Sequence, residues 1–535
     1  MEILKTDVLI IGGGGAGMRA ALAAKEKGAE VLLVSKTPIG KSTCTYLSVG
    51  AFAVAAGGRS EEDHLQLTLQ SGRGMNDRNL VEILASEAPE RIRELESWGL
   101  VGDWQKGRFL CPIRPTAAGA PLANTLAKAT VKQGVGSLPW VIVSELVIAS
   151  GKVVGALGFD WRRGKKIAFL SKAVVLSNGG GGALYGRHDN PVRATGDGYA
   201  LAFHAGCSLR DMEYVQFIPT GLAEPGKPAH LLAARLPDMG RVINSLGEDI
   251  LQKYQIKEKP VVVHARDSFS LAIFKEEMEG REVLIDLRSL SEKDWLQDTI
   301  AQGQRDMLIK HYSAAVKPLR ISPMCHFFMG GVSIDPDGRT GVAGLYAAGE
   351  IVGGLHGANR MGGNALSEIL VFGYRAGKAA GAWALQQGWV EGAQDLLSKR
   401  LDSFQKGWKS SAAGLAPRLI RKEIAEILWK KGGILREESG LSSALKALEK
   451  FRQEDLPRAK TESPKEVIEK MEVENALLVG EMIVKSALMR EESRGAHFRK
   501  DFPQTDDPKW KGNIFLKKST GGMQLTFQPL RETNS

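Results

Sequence analysis

The sequence predicts an α/β protein in which a Rossmann-like domain is interrupted by an α+β capping domain and followed by a C-terminal helical domain. The chain opens on an apolar strand that leads into a glycine-rich turn and a helix. Two further segments that join a strand to a glycine turn follow far downstream, at 173–182 and 344–350. From about residue 387 the pattern changes to long stretches with apolar residues at spacings of three and four, which is typical of helices.

The first of these elements is the apolar run 7–11, which predicts a buried parallel strand. Gly12, Gly14 and Gly17 follow it in a GxGxxG pattern that opens a helix, and a second apolar run stands at 31–34. Such glycines allow a tight turn and bring the backbone close to a pyrophosphate, which the helix N-terminus attracts. Because the pattern lies between a strand and a helix, we expect a dinucleotide site here.

The two later glycine segments indicate where the fold is interrupted. Each alone is also typical of an ordinary turn in an α/β protein, but three in order along one chain indicate one dinucleotide fold that carries an insertion. Pro417, Gly432-Gly433 and Pro457 divide the last part of the chain into separate helices. The predicted divisions are 1–221 and 326–386 for the dinucleotide-binding domain, 222–325 for the cap, 387–502 for the helical domain and 503–535 for a polar tail.

Composition and charge exclude several classes of protein. The 535 residues are 43% hydrophobic and 25% charged, which is typical of a globular chain of about three domains. The net charge of +10 comes without aromatic residues interleaved among the basic ones, so no nucleic-acid partner is expected. The N-terminus reads as a strand rather than a signal peptide, and no uncharged apolar run reaches about 18 residues, so we expect no direct membrane insertion.

The four cysteines, Cys44, Cys111, Cys207 and Cys325, are far apart and form no CxxC pair. This spacing argues against an iron–sulfur cluster or a structural zinc site within the chain, and we expect no metal. It also argues against a disulfide framework and favours a reducing compartment. We therefore expect a cytoplasmic protein that reaches a membrane only through partner subunits.

Three motifs carry a resemblance to a known family. They are HFFMGGVSIDPDGRTGVAGLYAAGEIVGGLHGANRMGGNALSEILVFG at 326–373, TGDGYALAFHAG at 195–206 and ESRGAHFRKDFP at 492–503. Together they resemble the flavoprotein subunit of the succinate dehydrogenase/fumarate reductase family, and L-aspartate oxidases share these patterns. The resemblance implies an FAD-dependent oxidoreductase that acts on CH–CH groups in electron transport. It also implies hydride transfer between flavin N5 and a small carboxylate substrate, with electrons exchanged with an iron–sulfur subunit.

The resemblance further implies which residues hold FAD. Glu350 would contact the ribityl or ribose part, and 364–366 would lie near the flavin ring, where a helix N-terminus favours negative charge. Many members attach FAD covalently through a histidine; the aligned position here is Thr43, with no histidine nearby, so we predict non-covalent FAD. The implied FAD-binding residues are Gly12, Gly14, Gly15, Ala16, Gly17, Ser35, Lys36, Ser42, Thr43, Gly50, Gly180, Asp197, Glu350, Asn364, Ala365 and Leu366.

The same resemblance implies the substrate residues. Arg266 would be the catalytic residue that transfers the second proton, and His326 and Arg360 would bind a substrate carboxylate. An arginine transfers a proton only where burial and neighbouring cations lower its proton affinity. The structural alternative is that Arg266 starts a helix as a surface arginine, in an ion pair beside Asp267.

The other half of the substrate site departs from the family pattern. The family reads QFHPTG, and this chain has Ile218 in place of that histidine. The family's Thr-Glu pair aligns with Leu232-Ala233, its later arginine aligns with Leu236, and Arg235 stands beside this segment. Because an isoleucine cannot pair with a carboxylate, these changes predict one carboxylate clamp that faces a less polar end.

Three functions stay open at this point. The first is a flavoprotein of fumarate reductase/succinate dehydrogenase type that interconverts a saturated and an unsaturated carboxylate. The second is an L-aspartate oxidase, which the loss of the second carboxylate-binding set disfavours. The third is an electron-transfer flavin subunit of a larger redox complex, in which the substrate site is altered. The sequence leaves open the physiological substrate, the direction of reaction, the electron partner, the oligomeric state and the activity of the altered site.

Overall fold

A computed structural model of the chain describes residues 2–403 and 414–530. Its strands, in chain order, are β1 (Glu2–Ile11), β2 (Val31–Ser35), β3 (Ala51–Ala53), β4 (Asp103–Gln105), β5 (Arg108–Leu110), β6 (Gly136–Pro139), β7 (Val141–Ala149), β8 (Lys152–Asp160), β9 (Lys165–Leu176), β10 (Leu209–Arg210), β11 (Val215–Leu222), β12 (Arg241–Asn244), β13 (Val283–Asp286), β14 (Leu319–Phe328), β15 (Gly331–Val332), β16 (Leu345–Ala347), β17 (Leu435–Arg436), β18 (Phe498–Arg499), β19 (Gly512–Ser519) and β20 (Gly522–Pro529).

The α-helices of the same residues, in chain order, are α1 (Gly15–Glu26), α2 (Cys44–Leu47), α3 (Glu61–Ser71), α4 (Arg78–Ser97), α5 (Ala120–Lys132), α6 (Asp197–His204), α7 (Leu236–Met239), α8 (Ile250–Lys253), α9 (Val261–His264), α10 (Arg266–Met278), α11 (Glu292–Trp295), α12 (Thr299–Tyr312), α13 (Asn364–Gln386), α14 (Ala393–Ser403), α15 (Pro417–Lys431), α16 (Glu438–Lys450), α17 (Pro464–Met489) and α18 (Asp507–Trp510).

The largest sheet is built around the first strand. Its order is β6-β2-β1-β9-β8-β7, β16 pairs with β9, and β1 lies parallel to both β2 and β9. Helices α1 and α13 pack closely together because Gly377 has no side chain: a Cβ there would lie 2.1 Å from the Ala20 carbonyl oxygen. Strand β16 comes from the third glycine segment and joins the sheet of the first. The predicted Rossmann-like fold with an insertion is therefore confirmed.

The insertion forms the cap, whose antiparallel sheet has the order β11-β14-β13-β12. Helices α7 to α12 pack on this sheet around a hydrophobic cluster of their own. Strands β11 and β14 run continuously out of the Rossmann-like domain, so the cap sheet includes residues on both sides of the predicted boundaries at 222 and 325. The predicted boundaries therefore cut through β11 and β14, because each of these strands continues from one domain into the other.

The C-terminal helical domain follows the predicted punctuation. Pro417 stands in the first turn of α15, where a missing N–H costs nothing, and Gly432 ends that helix. Ser463 and Glu466 form a capping box that starts α17. Residues 404–413 of this predicted domain lie outside the described part of the chain.

The prediction of a polar tail at 503–535 is corrected by the structure. Strands β19 and β20 form an antiparallel hairpin, and β19 also pairs with β10. Ile514 and Leu516 of β19 are fully buried, and on β20 the exposed Gln524, Thr526 and Gln528 alternate with the half-buried Met523, Leu525 and Phe527. This alternation with a period of two makes the segment read as polar although one of its faces is apolar. Residues 531–535 lie outside the described residues.

Two further expectations concern membranes and cysteines. Within 2–403 and 414–530, no helix combines the length and apolar character needed to span a membrane. The four cysteines are free thiols, and Cys111, Cys207 and Cys325 are buried. No group of histidine, cysteine and acidic residues in the described ranges is arranged to hold a metal ion.

Candidate functional site

A cavity of about 1310 Å³ lies where the central sheet, the cap and the N-terminus of α13 meet. Residues predicted from distant parts of the sequence converge on it. Those that line it are Gly12, Gly14, Gly15, Ala16, Ser35, Lys36, Ser42, Thr43, Gly180, Asp197, Arg266, His326, Glu350, Arg360, Ala365 and Leu366.

Three predicted residues lie outside the lining of this cavity. Gly17 packs helix α1 onto the preceding turn, where a Cβ would stand 1.9 Å from the Gly12 carbonyl oxygen. Gly50 lies in a turn against the backbone of Ala118. The Asn364 side chain points to the protein interior and bonds His64 at 2.8 Å. These residues support the site from behind rather than contact its contents.

The glycine turn after β1 offers a binding place for an anion. Gly12 has φ +123°, and a Cβ there would lie 2.2 Å from the Ser177 carbonyl oxygen, so only glycine fits. Gly14, the N-cap residue of α1, has no side chain to cap the helix, and the Gly15 N–H donates to the Thr45 hydroxyl at 3.0 Å. The next N–H groups of the first turn, those of Ala16 and Gly17, suit the pyrophosphate of the FAD that the resemblance implies.

Lys36 stands at the end of β2, where many dinucleotide folds carry an acidic residue. Its ammonium donates to the Asp197 carboxylate and, at 2.9 Å, to the hydroxyl of Thr195. Asp197 begins helix α6 and is buried. The carboxylate at this end of the cavity is thus supplied by α6 rather than by β2.

Glu350 follows β16 and is buried against the cavity. One of its carboxylate oxygens accepts from the Phe328 backbone N–H at 3.1 Å. Gly180 makes room for it, because a Cβ at that position would lie 2.2 Å from Glu350 Oε1. Burial raises the pKa of Glu350 to about 7. A carboxyl group that is part protonated near neutrality can both donate to and accept from ribose or ribityl hydroxyls.

Thr43 occupies the position at which related proteins carry the covalently attached histidine. Its hydroxyl accepts from the Tyr46 backbone N–H and caps α2. The histidines that line the cavity are His230, His264 and His326, none of which belongs to this segment. The neighbouring Cys44 is a neutral thiol, because burial raises its pKa well above the usual value.

His326 and Arg360 form one hydrogen-bonded chain with a third residue, Asp189. Arg360 donates to His326 Nε2 at 2.9 Å, and His326 Nδ1 lies 2.7 Å from Asp189 Oδ2. Because a guanidinium can only donate, Nε2 accepts and the imidazole proton lies on Nδ1, where it points to Asp189. The Gln216 side chain donates to the Arg360 carbonyl oxygen at 3.0 Å and holds that backbone in place.

Arg266 begins α10, and its guanidinium is buried at the cavity. Its Nε donates to the Val262 carbonyl oxygen at 3.1 Å, whereas its Nη1 has no hydrogen-bond partner among the described residues. Burial and the neighbouring Arg360 lower the pKa of Arg266 to about 9. Asp267 is bonded to Arg73 at 2.9 Å, so it does not pair with Arg266. This geometry does not fit the alternative of a surface ion pair.

The altered half of the site is apolar. Ile218, Leu232 and Ala233 all line the cavity and are all buried. Arg235 is exposed and does not line the cavity, so it does not replace the missing arginine there.

Asp189 and Gln216 are the main site residues that the sequence analysis missed. Asp189 lies in an irregular segment between β9 and α6 that has no periodic pattern. The only signal for it was an acidic residue just before the TGDG motif. Gln216 was read as part of a motif without a role of its own.

The arrangement suits a carboxylate beside a bound dinucleotide. The free Nη1 of Arg266 and the buried Nε of Arg360, also without a partner in the described residues, are donors for an anion. Two buried guanidiniums near each other disfavour both being charged, and Arg360 too has a pKa lowered by burial, to about 10. An anionic substrate would stabilise the charged form of both guanidiniums. Arg266 has a free N–H group, which suits proton exchange.

Comparisons with known proteins agree along the chain. Residues 7–366 match a family model described as FAD binding domain, and 421–535 match one described as fumarate reductase flavoprotein C-term. The chain is 34% identical to a fumarate reductase (CoM/CoB) subunit of Methanothermobacter marburgensis, over 97% of this chain and 98% of that protein. It is 31% identical to L-aspartate oxidase of Saccharolobus solfataricus, over 93% and 96%. A solved structure of E. coli quinol fumarate reductase superposes with a TM-score of 0.89 and 27% identity, covering 100% of this chain and 98% of that one.

Proposed function

Because the chain belongs to the flavoprotein family of fumarate reductase and succinate dehydrogenase and is an FAD-dependent oxidoreductase, we propose that it interconverts a C–C and a C=C bond beside a carboxylate. When bound, FAD supplies a two-electron centre that exchanges a hydride with the substrate. Arg266 exchanges the accompanying proton. The observation that carries this proposal is the buried Arg266 guanidinium beside Arg360, whose proximity and burial lower the pKa of Arg266 to about 9.

His326 and Arg360 bind the substrate carboxylate in this proposal. In the hydrogen-bonded chain described above, Arg360 donates one N–H to His326. An arriving carboxylate accepts from the remaining N–H groups of Arg360, whose guanidinium is held in orientation by the His326–Asp189 pair. Binding therefore places the substrate double bond next to Arg266 and excludes water from the pair of guanidiniums.

The chain's own residues also suggest how FAD is held. The N-terminus of α1 binds the pyrophosphate, Glu350 and Asp197 bind hydroxyl groups, and Ala365 and Leu366 lie near the ring. The Thr43 hydroxyl is a much weaker nucleophile than an imidazole nitrogen, and its oxygen already accepts from the Tyr46 N–H at 3.2 Å. We therefore propose that FAD is bound non-covalently.

We propose that a separate protein carries electrons to or from this site. No group of residues in the described ranges is arranged to hold a metal cluster, and the relatives from M. marburgensis and Wolinella succinogenes are named as subunits. We propose that the partner is an electron-transfer protein with iron–sulfur clusters. The two proteins work together in the cytoplasm, or at a membrane to which the partner attaches them.

The test is reoxidation of the reduced flavin. The purified protein is reduced anaerobically with reduced viologen, and fumarate or monocarboxylate enoates are added while flavin absorbance is followed. We expect at least one of these acids to reoxidise the flavin, and an Arg266→Gln variant with the same FAD content to do so about 100-fold or more slowly. If every acid leaves the flavin reduced, the proposal is wrong and an electron-transfer subunit without its own substrate becomes the better hypothesis.

One alternative has a specific observation behind it, since an L-aspartate oxidase is 31% identical to this chain. Aspartate carries two carboxylates and an ammonium group. The apolar end formed by Ile218, Leu232 and Ala233 offers no partner for the second carboxylate. We expect no reduction of the oxidised flavin by L-aspartate, and rapid bleaching would favour the oxidase.

A further inference from the structure

The end of the cavity that faces the carboxylate-binding pair is an apolar wall made of Ile218, Leu232 and Ala233. Each of the three side chains is 5% exposed or less, and all belong to the cap's own hydrophobic cluster. Ala265, which directly precedes Arg266, belongs to the same cluster. The apolar wall therefore adjoins the residue that we propose as the proton donor.

The wall also lies close to the carboxylate-binding pair. Ile218 on β11 is the strand partner of Met324 on β14, and His326 follows two residues later on the same strand. Both Ile218 and His326 line the cavity. A small substrate held by one carboxylate at His326 and Arg360 therefore has its other end within reach of Ile218.

The backbone of the wall is fixed, so a ligand finds no free N–H group at Leu232 or Ala233. The Leu232 N–H donates to the Thr220 carbonyl oxygen at 3.0 Å, and the Ala233 N–H donates to Gln304 Oε1 at 2.8 Å. The Gln304 amide also donates to the Leu231 carbonyl oxygen at 2.9 Å. Both ends of this buried amide side chain are thus already bonded within the protein.

The buried cations among the described residues that line the cavity are Arg266 and Arg360, and the proposed function assigns these to proton transfer and to the first carboxylate. His230 also lines the cavity near the wall, but burial lowers its pKa and so disfavours its charged form. Lys259 and His264 line the cavity but are exposed at its opening, and Arg235 lies outside the lining. A carboxylate placed against Ile218 would lose its water without gaining a partner, which is costly. An alkyl or aryl group in the same place would gain about 25 cal/mol for each Å² that it removes from water.

We propose that the substrate is an α,β-unsaturated monocarboxylic acid with an apolar β-substituent, or the saturated acid in the reverse direction. This inference rests on the proposed function and adds the substrate class to it. The single carboxylate binds at His326 and Arg360, and the apolar substituent packs on Ile218, Leu232 and Ala233. A four-carbon dicarboxylate such as fumarate would leave one carboxylate unpaired against this wall.

The reaction balances with the groups already named. The carbon β to the carboxylate accepts a hydride, which is two electrons and one proton, from the reduced flavin, and the π bond breaks. Arg266 gives the second proton to the α carbon and is reprotonated from water at the cavity opening. The iron–sulfur partner or, in the test, reduced viologen restores the reduced flavin, so that each turnover consumes two electrons and two protons.

The experiment compares acids with one reduced holoenzyme. Flavin reoxidation is followed with crotonate, 2-hexenoate, cinnamate and fumarate, and binding of hexanoate and succinate to the oxidised holoenzyme is measured by titration calorimetry. We expect kcat/KM for 2-hexenoate to exceed that for fumarate by at least about 10-fold, with hexanoate binding more tightly than succinate. The calorimetry gives a readout that does not depend on turnover.

A pair of variants locates the preference at the wall. Ile218→His adds a polar group at the apolar end, and we expect it to lower the ratio of 2-hexenoate to fumarate by about 10-fold or more. Val316→His makes the same kind of change in the cap at a position that is 76% exposed and remote from the cavity lining, and it should keep the wild-type ratio. If Ile218→His fails to retain FAD, the wild-type comparison of acids and the calorimetry still decide.

The outcomes separate this inference from the proposed function. Reoxidation by fumarate that is as fast as or faster than by 2-hexenoate overturns the substrate class and leaves the proposed function in place. Reoxidation by none of the acids overturns both. A preference for 2-hexenoate that Ile218→His does not change overturns the assignment of the wall.

Discussion

Among single residues, Arg266 is the position whose surroundings matter most for the chemistry. An exposed arginine keeps its proton throughout the accessible pH range. Here burial and Arg360 lower its pKa to about 9, and Asp267, the nearest acid in sequence, is bonded to Arg73 instead. Asp267 therefore raises the pKa of Arg266 only through space, and burial and Arg360 outweigh this effect.

This leads to a pH dependence that can be measured. Below about pH 9 Arg266 carries the proton that the proposed function has it give to the substrate, and above that pH the proton is absent. We expect the rate of flavin reoxidation by an enoate to fall about tenfold per pH unit above this value. Stopped-flow rates between about pH 6 and about pH 10.5 test this, with dithionite reduction of the flavin as a reaction that does not need Arg266. A rate that stays constant over this whole range would show that another group supplies the proton.

In the proposed function Asp189 orients His326, and through it Arg360, for substrate binding, and a single substitution tests this. In Asp189→Asn the charged acceptor at 2.7 Å from His326 Nδ1 becomes a neutral amide. Since hydrogen bonds to charged groups contribute about 1.5–3 kcal/mol, we expect KM for the carboxylate substrate to rise about 10-fold or more, with a smaller change in kcat. Asp306→Asn, on the exposed surface of the cap, is the matched control. Equal KM values in the two variants would contradict an orienting role.

Among the secondary-structure elements, the C-terminal hairpin of β19 and β20 joins the end of the described chain to the body of the protein. Its strand β19 pairs with β10, and the Asn513 side chain donates to the Asp211 carboxylate at 2.9 Å. Ile514 is fully buried beneath this pairing. The hairpin is therefore part of the folded core and not an appendage.

A cavity-forming substitution tests the hairpin's contribution. Replacing Ile514 with alanine removes buried methyl and methylene groups, so we expect the free energy of unfolding to fall by about 2–5 kcal/mol. Gln524→Ala on the exposed face of β20 should change it by no more than about 0.5 kcal/mol. Denaturant unfolding followed by circular dichroism measures both. Similar stabilities for the two variants would mean that the hairpin is dispensable.

Across the whole molecule, Glu472 connects the Rossmann-like and helical domains. This residue lies on α17 with its side chain fully buried. Its carboxylate pairs with Lys36 at 3.4 Å, Arg193 at 2.8 Å and Arg421 at 3.3 Å. Three cations from separate elements thus depend on one acid, and Lys36 is also the residue that pairs with Asp197 in the cavity.

Removing this buried acid leaves three partly exposed cations without their shared partner. We expect Glu472→Ala to lower the free energy of unfolding by about 1.5–3 kcal/mol, as for the loss of hydrogen bonds to a charged group, and to weaken FAD retention, because Lys36 loses one of the groups that position it. Glu423→Ala, on the exposed face of α15, is the control and should behave as wild type. Urea unfolding of the holoprotein and the flavin content after gel filtration measure the two effects. Unchanged flavin content would show that Glu472 acts on stability alone.

The Rossmann-like core and the glycine turn could be predicted from sequence, because they depend on residues that are neighbours along the chain. The run 7–11, the GxGxxG spacing and the helix after it are local patterns, and so are Pro417 at the start of α15 and Gly432 at its end. The motifs that carry the family resemblance are likewise short and continuous. Expectations of this kind need no knowledge of which strands pair.

Which side chains meet in the site is settled only by the packing of distant segments. His326 and Asp189 are 137 positions apart, and their contact depends on how β14 and the loop before α6 pack together. The burial of Arg266 and of Ile218 likewise depends on the cap closing over the sheet. The segment 512–529 was predicted as a polar tail because its apolar residues are interspersed with polar ones. They are buried only because β19 pairs with β10, which lies far away in the sequence. Local sequence patterns determine the hydrogen bonds within a helix or a turn. Contacts between elements depend on how distant segments pack together, and no single stretch of sequence specifies that packing.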